Sequence, residues 1–285
     1  MKIVVENLHF SYPGGVDAIR GVSLVIETGE QVALIGQNGS GKTTLVRHFN
    51  GLLKPTQGKV LVGDWDTRES TVARLAVRVG YVFQNPDEQL FCKTVQDEVA
   101  FGPRNLGYAA SKITTLVNDA LAMVELLDQK ETNPYDLSPT WRKMVALASV
   151  VAMDTPVVIF DEPTTGQDAA SVARIANVIA ALRERGKTVI AITHDIDFCA
   201  ENFERIIALG LGKILLDGPS QEVLGQEETL ALTFVDPPQL TRLGKRLGLP
   251  GVISNPQDFL EAYQSYINTD TSLHPGAGER QPSQS

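Results

Sequence analysis

A chain of 285 residues that is 43% hydrophobic carries enough apolar material for a packed core, as one large domain or two smaller ones. Its 25 Lys and Arg stand against 34 Asp and Glu, and the resulting formal charge of -9 disfavours a general affinity for anionic lipid or nucleic acid, so no nucleic-acid partner is expected. The two cysteines, Cys92 and Cys199, lie far apart and form no CxxC pair, which argues against a disulfide framework or a zinc site and fits a reducing compartment.

The opening "MKIVVENLHF" alternates like a strand and lacks the apolar core and cleavage site of a signal peptide. No uninterrupted apolar run is long enough to cross a bilayer, so work at a membrane would require another chain to span it. "KIVVENLHF", "GVSLVIE" and "EQVALIG" read as strands, the first two separated by the turn-forming "YPGG". From Gly41 to about Gly51 the pattern turns helical, and "GKVLVGD" and "VRVGYVF" return to strand, which begins an α/β alternation. Between Gln84 and Met153 the character is helical, with Ser111 predicted as the N-cap of "KITTLVNDALAMVELL". The reading is of a helical subdomain, about 85–153, inserted in the larger unit.

"PVVIFDE" and "KTVIAITHD" are continuous apolar strands on either side of the helix "DAASVARIANVIAALRERG", the pattern of a parallel sheet buried on both faces. "RIIALGLGKILLDG" reads as a strand pair, followed by short helices near Gln239 to Leu247 and Gln257 to Ile267. A main domain is expected over 1–225, a helical extension over 226–267, and a disordered polar tail over 268–285.

Chemistry concentrates at the ends of these strands. "GQNGSGKT", Gly36 to Thr43, fits the phosphate-loop pattern G-x-x-x-x-G-K-[ST] between an apolar strand and a helix. Glycines there let backbone N–H groups wrap a phosphate, Lys42 is placed to bridge the β- and γ-phosphates, and the Thr43 hydroxyl to ligate Mg²⁺. Asp161 and Glu162 end a strand at the edge where open α/β sheets bind ligands. Asp161 is suited to hold the metal through water, and Glu162 to act as general base on an attacking water. His194 ends the strand "VIAITH" and falls beside Glu162 in sheet order. Gln84, after "VGYVF", reads either as an ordinary loop amide or as a group that senses the metal or the water.

In order and spacing, these residues resemble those of the ATP-binding-cassette (ABC) ATPases over roughly Met1 to Gly225. The resemblance implies a mixed α/β fold: a β-rich subdomain, a parallel-sheet core like that of RecA, an inserted helical subdomain and a small C-terminal helical extension. It implies ATP and Mg²⁺ as ligands and ATP hydrolysis as the activity. Tyr12 matches the aromatic that stacks on adenine, and Gly36, Asn38, Gly39, Ser40, Gly41, Lys42, Thr43 and Thr44 match the Walker A loop. Gln84 matches the Q-loop, with a place at the metal; Asp161 and Glu162 match Walker B; Asp168 matches the D-loop at the dimer contact; and His194 matches the switch histidine.

"FQNPDEQLF", "TVQDEVAFGPRNLG" and "VDPPQLTRLGKRLGLPG" resemble segments of the ATPase subunits of energy-coupling-factor transporters, which import vitamins and transition-metal ions. By that resemblance the partners are a second ATPase subunit, a transmembrane scaffold and a substrate-binding membrane subunit, with this chain held peripherally on the cytoplasmic face. A soluble cassette of translation or DNA repair, a conventional homodimeric importer or exporter ATPase, and a phosphate-loop kinase are the competing readings. One cassette without sustained heptads speaks against the first of these, and the kinase leaves Glu162, Gln84 and His194 without roles.

The resemblance breaks at "LSPTW", Leu137 to Trp141, where the family has Leu-Ser-Gly-Gly-Gln. In the family this segment faces the ATP of the opposing subunit, so Ser138 would serve the neighbour's nucleotide. Ser138 is a good N-cap and Pro139 suits the first helical position, but proline brings no N–H donor, and Thr140 and Trp141 add bulk. One lost donor of this kind costs on the order of 3 kcal/mol, about a hundredfold in rate. Arg142 and Lys143 keep positive charge nearby. The expectation is a nonidentical partner, against the alternative that the Ser138 and Thr140 hydroxyls replace the missing donor.

Overall fold

The computed structural model describes residues 1–253 and 255–271. Strands β1 (Ile3–Tyr12) and β2 (Val16–Ile26) form a hairpin closed by the Gly15 N–H, which donates to the Tyr12 carbonyl at 3.0 Å. The second strand thus begins five residues ahead of the predicted Gly21, because Val16 pairs with Tyr12 as soon as the glycine turn is complete. Next come β3 (Gln31–Ile35), α1 (Lys42–Phe49), β4 (Gln57–Val62), β5 (Trp65–Asp66), the short α2 (Val72–Leu75) and β6 (Val79–Val82). Helices α3 (Val95–Asn105), α4 (Ala110–Met123) and α5 (Pro139–Val151) separate β6 from β7 (Val157–Asp161). Then follow α6 (Ala169–Glu184), β8 (Thr188–Ile192), α7 (Ile196–Asn202), β9 (Arg205–Gly210) and β10 (Lys213–Pro219). The remaining helices are α8 (Ser220–Gly225), α9 (Glu227–Ala231), α10 (Gln239–Arg246) and α11 (Pro256–Thr271).

Two sheets result. One is antiparallel, in the order β2-β1-β4-β5; the other runs β10-β9-β3-β8-β7-β6 and is parallel except for its edge strand β10. Alternate residues of the central strands feed two cores. Leu34, Ile159 and Ile192 pack with Phe49 of α1 and with Ile3 and Ile26 of the antiparallel sheet. Ile35, Phe160 and Ala191 pack on the opposite face with Leu121, Met144 and Ile179 from α4, α5 and α6. Every residue of β3, β7 and β8 is buried, the reason these segments read as unbroken apolar runs.

Three further boundaries differ from the reading of the sequence. Helix α4 is capped at Ala109, with the Ile113 N–H donating to the Ala109 carbonyl at 3.0 Å, so Ser111 lies inside the first turn. The Tyr108 hydroxyl, which donates to the Met153 carbonyl, anchors the chain just ahead of that turn. The apolar core does not stop at 225, since Leu230 and Val235 belong to the cluster that contains Phe160. Helix α11 continues through 268–271, which were expected to be disordered; the rest of that polar tail, 272–285, lies outside the described residues.

Candidate functional site

The phosphate loop leaves β3 and enters α1 through backbone that only glycine tolerates. Gly36 has φ 139, and a Cβ there would stand 2.2 Å from the Leu209 carbonyl oxygen. Gly41, the N-cap of α1, has φ 106 and would press a Cβ to 2.7 Å from the Ala18 oxygen. Gly39, by contrast, has open space around it, as the tip of a cradle must. Lys42 is buried and donates to the Gly36 and Gln37 carbonyls at 2.6 and 3.0 Å. Burial pulls its pKa down, and the nearby Glu162 and Asp161 carboxylates pull it back up. The Ser40 hydroxyl is buried without a hydrogen-bond partner among the described residues.

The other predicted groups converge on this loop. A cavity of about 290 Å³ is lined by Tyr12, Asn38, Lys42, Thr43, Gln84 and Glu162, among others. Tyr12 belongs to this lining, with its hydroxyl 3.1 Å from Thr44 Oγ1. At the end of β7, Asp161 Oδ1 accepts from the Thr43 hydroxyl at 3.3 Å, and Oδ2 from the Tyr81 hydroxyl at 2.5 Å. Desolvation raises the Asp161 pKa, and Glu162 adds to the effect, whereas the Tyr81 and Thr43 donors oppose it. Glu162 Oε2 lies 2.8 Å from His194 Nδ1 and accepts from the Thr165 hydroxyl at 3.3 Å. Glu162 itself adopts φ 50, a left-handed conformation that is strained for a residue with a side chain.

Residues of the proposed signature lie elsewhere. Ser138 caps α5, its Oγ accepting from the Trp141 N–H at 3.5 Å, and Pro139 takes the first helical position. Asp168 caps α6 through the Ser171 N–H at 2.8 Å, a bond that holds its carboxyl below the usual range. Neither Ser138 nor Asp168 lines the Lys42 cavity. Trp141 packs partly buried against the core, with the Arg174 guanidinium of α6 4.8 Å from the ring centroid. Its indole is thereby held against its own chain.

The charge expected to remain available at this helix start is committed within the chain. Arg142 pairs with Asp87 at 2.9 Å, and Lys143 is buried, donating to the carbonyls of Glu162 and Gln84. Desolvation pushes the Lys143 pKa down to about 8, although Glu162 and Asp161 counteract it.

Residues 19–165, more than half of the chain, match the ABC transporter family. This chain belongs to the ABC transporter family of ATP-hydrolysing cassettes. A Methanosarcina acetivorans protein named as an ABC transporter ATP-binding protein is 40% identical over 267 residues, 91% of this chain and 44% of that protein. The chain thus spans less than half the length of that relative. Among solved structures, Clostridium perfringens CbiO1, part of the ABC transporter complex CbiONQ, aligns at 33% identity with TM-score 0.73, covering 87% of this chain and 98% of CbiO1. The MJ0796 cassette, in a dimeric post-hydrolysis state bound to ADP and Pi, aligns at 28% identity with TM-score 0.70, covering 76% and 98%.

Three residues of this ABC cassette that meet the site were not singled out from the sequence for these contacts. Thr165 donates to Glu162, Lys143 ties two loops together, and Tyr81 donates to Asp161. Tyr81 sits in the apolar run "VGYVF", where periodicity marks it as core and says nothing of its hydroxyl. Burial and the Asp161 charge keep that phenol protonated, so it acts as a donor. A hydrogen bond to a charged group contributes about 1.5–3 kcal/mol. Tyr81→Phe is therefore expected to lower ATP turnover about tenfold, as read by phosphate release at saturating ATP.

Proposed function

We propose that this chain is the ATP-hydrolysing subunit of an energy-coupling-factor importer of a vitamin or transition-metal ion. In this reading it works in a head-to-tail pair with a nonidentical cassette beneath a transmembrane scaffold and a substrate-binding membrane subunit. The observation that carries the chemistry is the one cavity that Lys42, Thr43, Gln84 and Glu162 line together with Tyr12. The loop N–H groups and Lys42 hold the ATP phosphates, and Tyr12 offers its ring to adenine. Glu162, oriented by His194 and Thr165, accepts a proton as water attacks the γ-phosphorus and ADP leaves.

Thr43 and Asp161, already 3.3 Å apart, fit Mg²⁺, with Gln84 close by. Among the described residues no group of three His, Cys, Asp or Glu side chains could hold a metal alone, and Mg²⁺ in such sites takes one or two protein ligands with phosphate and water for the rest. When bound, the ion neutralises charge on the β- and γ-phosphates.

Two features support the assembly. The α5 start at Ser138 and the Asp168 turn stand outside the chain's own nucleotide cavity, as they would if they served a facing subunit. Beyond β6, an apolar cavity of about 230 Å³ is lined by Leu52, Val72, Phe83, Phe91 and Phe101, among others, and Phe91 is 61% exposed. We assign it to an apolar helix of the scaffold, which would cover the exposed aromatic lining. The resemblance to energy-coupling-factor ATPases favours import, and the likeness to CbiO1, part of the transporter complex CbiONQ, favours assembly with a transporter.

Detergent extraction of native membranes carrying the tagged full chain tests this reading. Mass spectrometry is expected to identify a multispanning protein and a second, different cassette in stoichiometric amounts. Recovery with ribosomal or DNA-repair components in place of a membrane protein would overturn it in favour of a soluble cassette.

A further inference from the structure

Lys143 is 3% exposed, yet its two hydrogen-bond partners are main-chain carbonyls. One belongs to Glu162, at 2.6 Å, and the other to Gln84, at 3.2 Å. These residues leave the ends of β7 and β6, adjacent parallel strands, and the lysine spans the gap between the two loops. Glu162 needs such support. Its left-handed φ of 50 is held from one side by its own N–H, which donates to the Ile192 carbonyl at 2.8 Å. Lys143 grips the same peptide neighbourhood from the other side, where a cavity of about 210 Å³ brings Gln84, Pro139, Lys143 and Thr165 together. Lys143 also lies one turn beyond Pro139 on α5, on the same helix face as the start of the altered signature.

We propose that Lys143 is a positioning residue for ATP hydrolysis: its ammonium fixes the Glu162 and Gln84 main chains in one arrangement and links the chain's own nucleotide site to the α5 start. This rests on the reading of Glu162 as general base. Burying an ammonium is costly unless it is hydrogen-bonded, and an apolar residue would fill this place at no such cost. A helix displaced at its N-terminus would carry Lys143 with it and so shift the base of the opposite composite site.

The test compares Lys143→Met, Lys143→Arg and Lys143→Gln in the full chain within its assembled ATPase pair, reading kcat, nucleotide affinity and thermal midpoint. Lys143→Met is expected to lower kcat about tenfold or more with nucleotide affinity held within about twofold, and Lys143→Arg to recover most of the loss. If the methionine variant does not fold, Lys143→Gln, which keeps amide donors, decides by the same split: reduced kcat with retained affinity supports the role. Unchanged kcat in Lys143→Met overturns the proposal, as does a parallel fall of kcat, affinity and thermal midpoint in the variants. Glu162→Gln run alongside separates the two readings, because full turnover there would remove the base itself, whatever Lys143 does.

Discussion

Glu162→Gln is expected to lower ATP turnover by about 10²–10⁴-fold while ATP still binds. The substitution is nearly isosteric, and the amide can still meet His194 Nδ1 and the Thr165 hydroxyl, so the left-handed turn at φ 50 need not change. What would be lost, on the proposed reading of Glu162 as general base, is the ability to take a proton from water. The phosphate loop, Lys42 and the Thr43–Asp161 pair are untouched, so affinity should stay within about twofold even as phosphate release slows. Phosphate release under saturating ATP, paired with equilibrium nucleotide binding, measures both quantities. Turnover retained within tenfold of the unmodified chain would assign the base elsewhere, with His194, which among the described residues is hydrogen-bonded to this carboxylate, the first to test.

Much of this arrangement was legible because parallel strands covered on both faces leave an unmistakable trace. "PVVIF" and "VIAI" are apolar throughout, and the polar residues at or just past their ends, Asp161, Glu162 and His194, could only stand at the ligand edge of the sheet. The phosphate loop was equally readable, since Gly36 and Gly41 answer to backbone contacts that no side chain would survive. What escaped depends on direction and tertiary contact. Periodicity sees Tyr81 as core and cannot tell that its hydroxyl meets Asp161; it sees Lys143 as surface charge, although the side chain turns inward to two carbonyls. Trp141 was expected to fill space at the signature, yet Arg174, far along the chain, holds it against α6. The boundary at 225 was drawn where strand pattern ends, whereas burial of Leu230 and Val235 extends the core past it.

Pro139→Gly/Thr140→Gly is expected to raise ATP turnover of the chain paired with itself by about a hundredfold, equivalent to roughly 3 kcal/mol in the barrier. The structure narrows where that gain must come from. Ser138 already caps α5 and Pro139 sits at its first position, so the helix start is formed, but the first turn lacks one N–H donor and carries the Thr140 side chain. Trp141 is packed beneath Arg174, so its indole need not be removed. Arg142 and Lys143 are committed to Asp87 and to the two loop carbonyls and do not substitute for the missing donor. Glycine at both places restores the donor and opens the approach, at a stability cost of about 1 kcal/mol from helix propensity and chain entropy, visible as a small drop in thermal midpoint. Steady-state hydrolysis by the purified chain before and after substitution is the measurement. Rapid turnover by the unmodified chain, unaltered by the glycines, would mean that "LSPTW" is a working signature and that self-pairing suffices. Where a nonidentical cassette supplies a regular signature and Lys143 keeps its two carbonyls, the composite site built on Lys42 and Glu162 should run at the same rate with either version, because the altered turn then faces the other nucleotide.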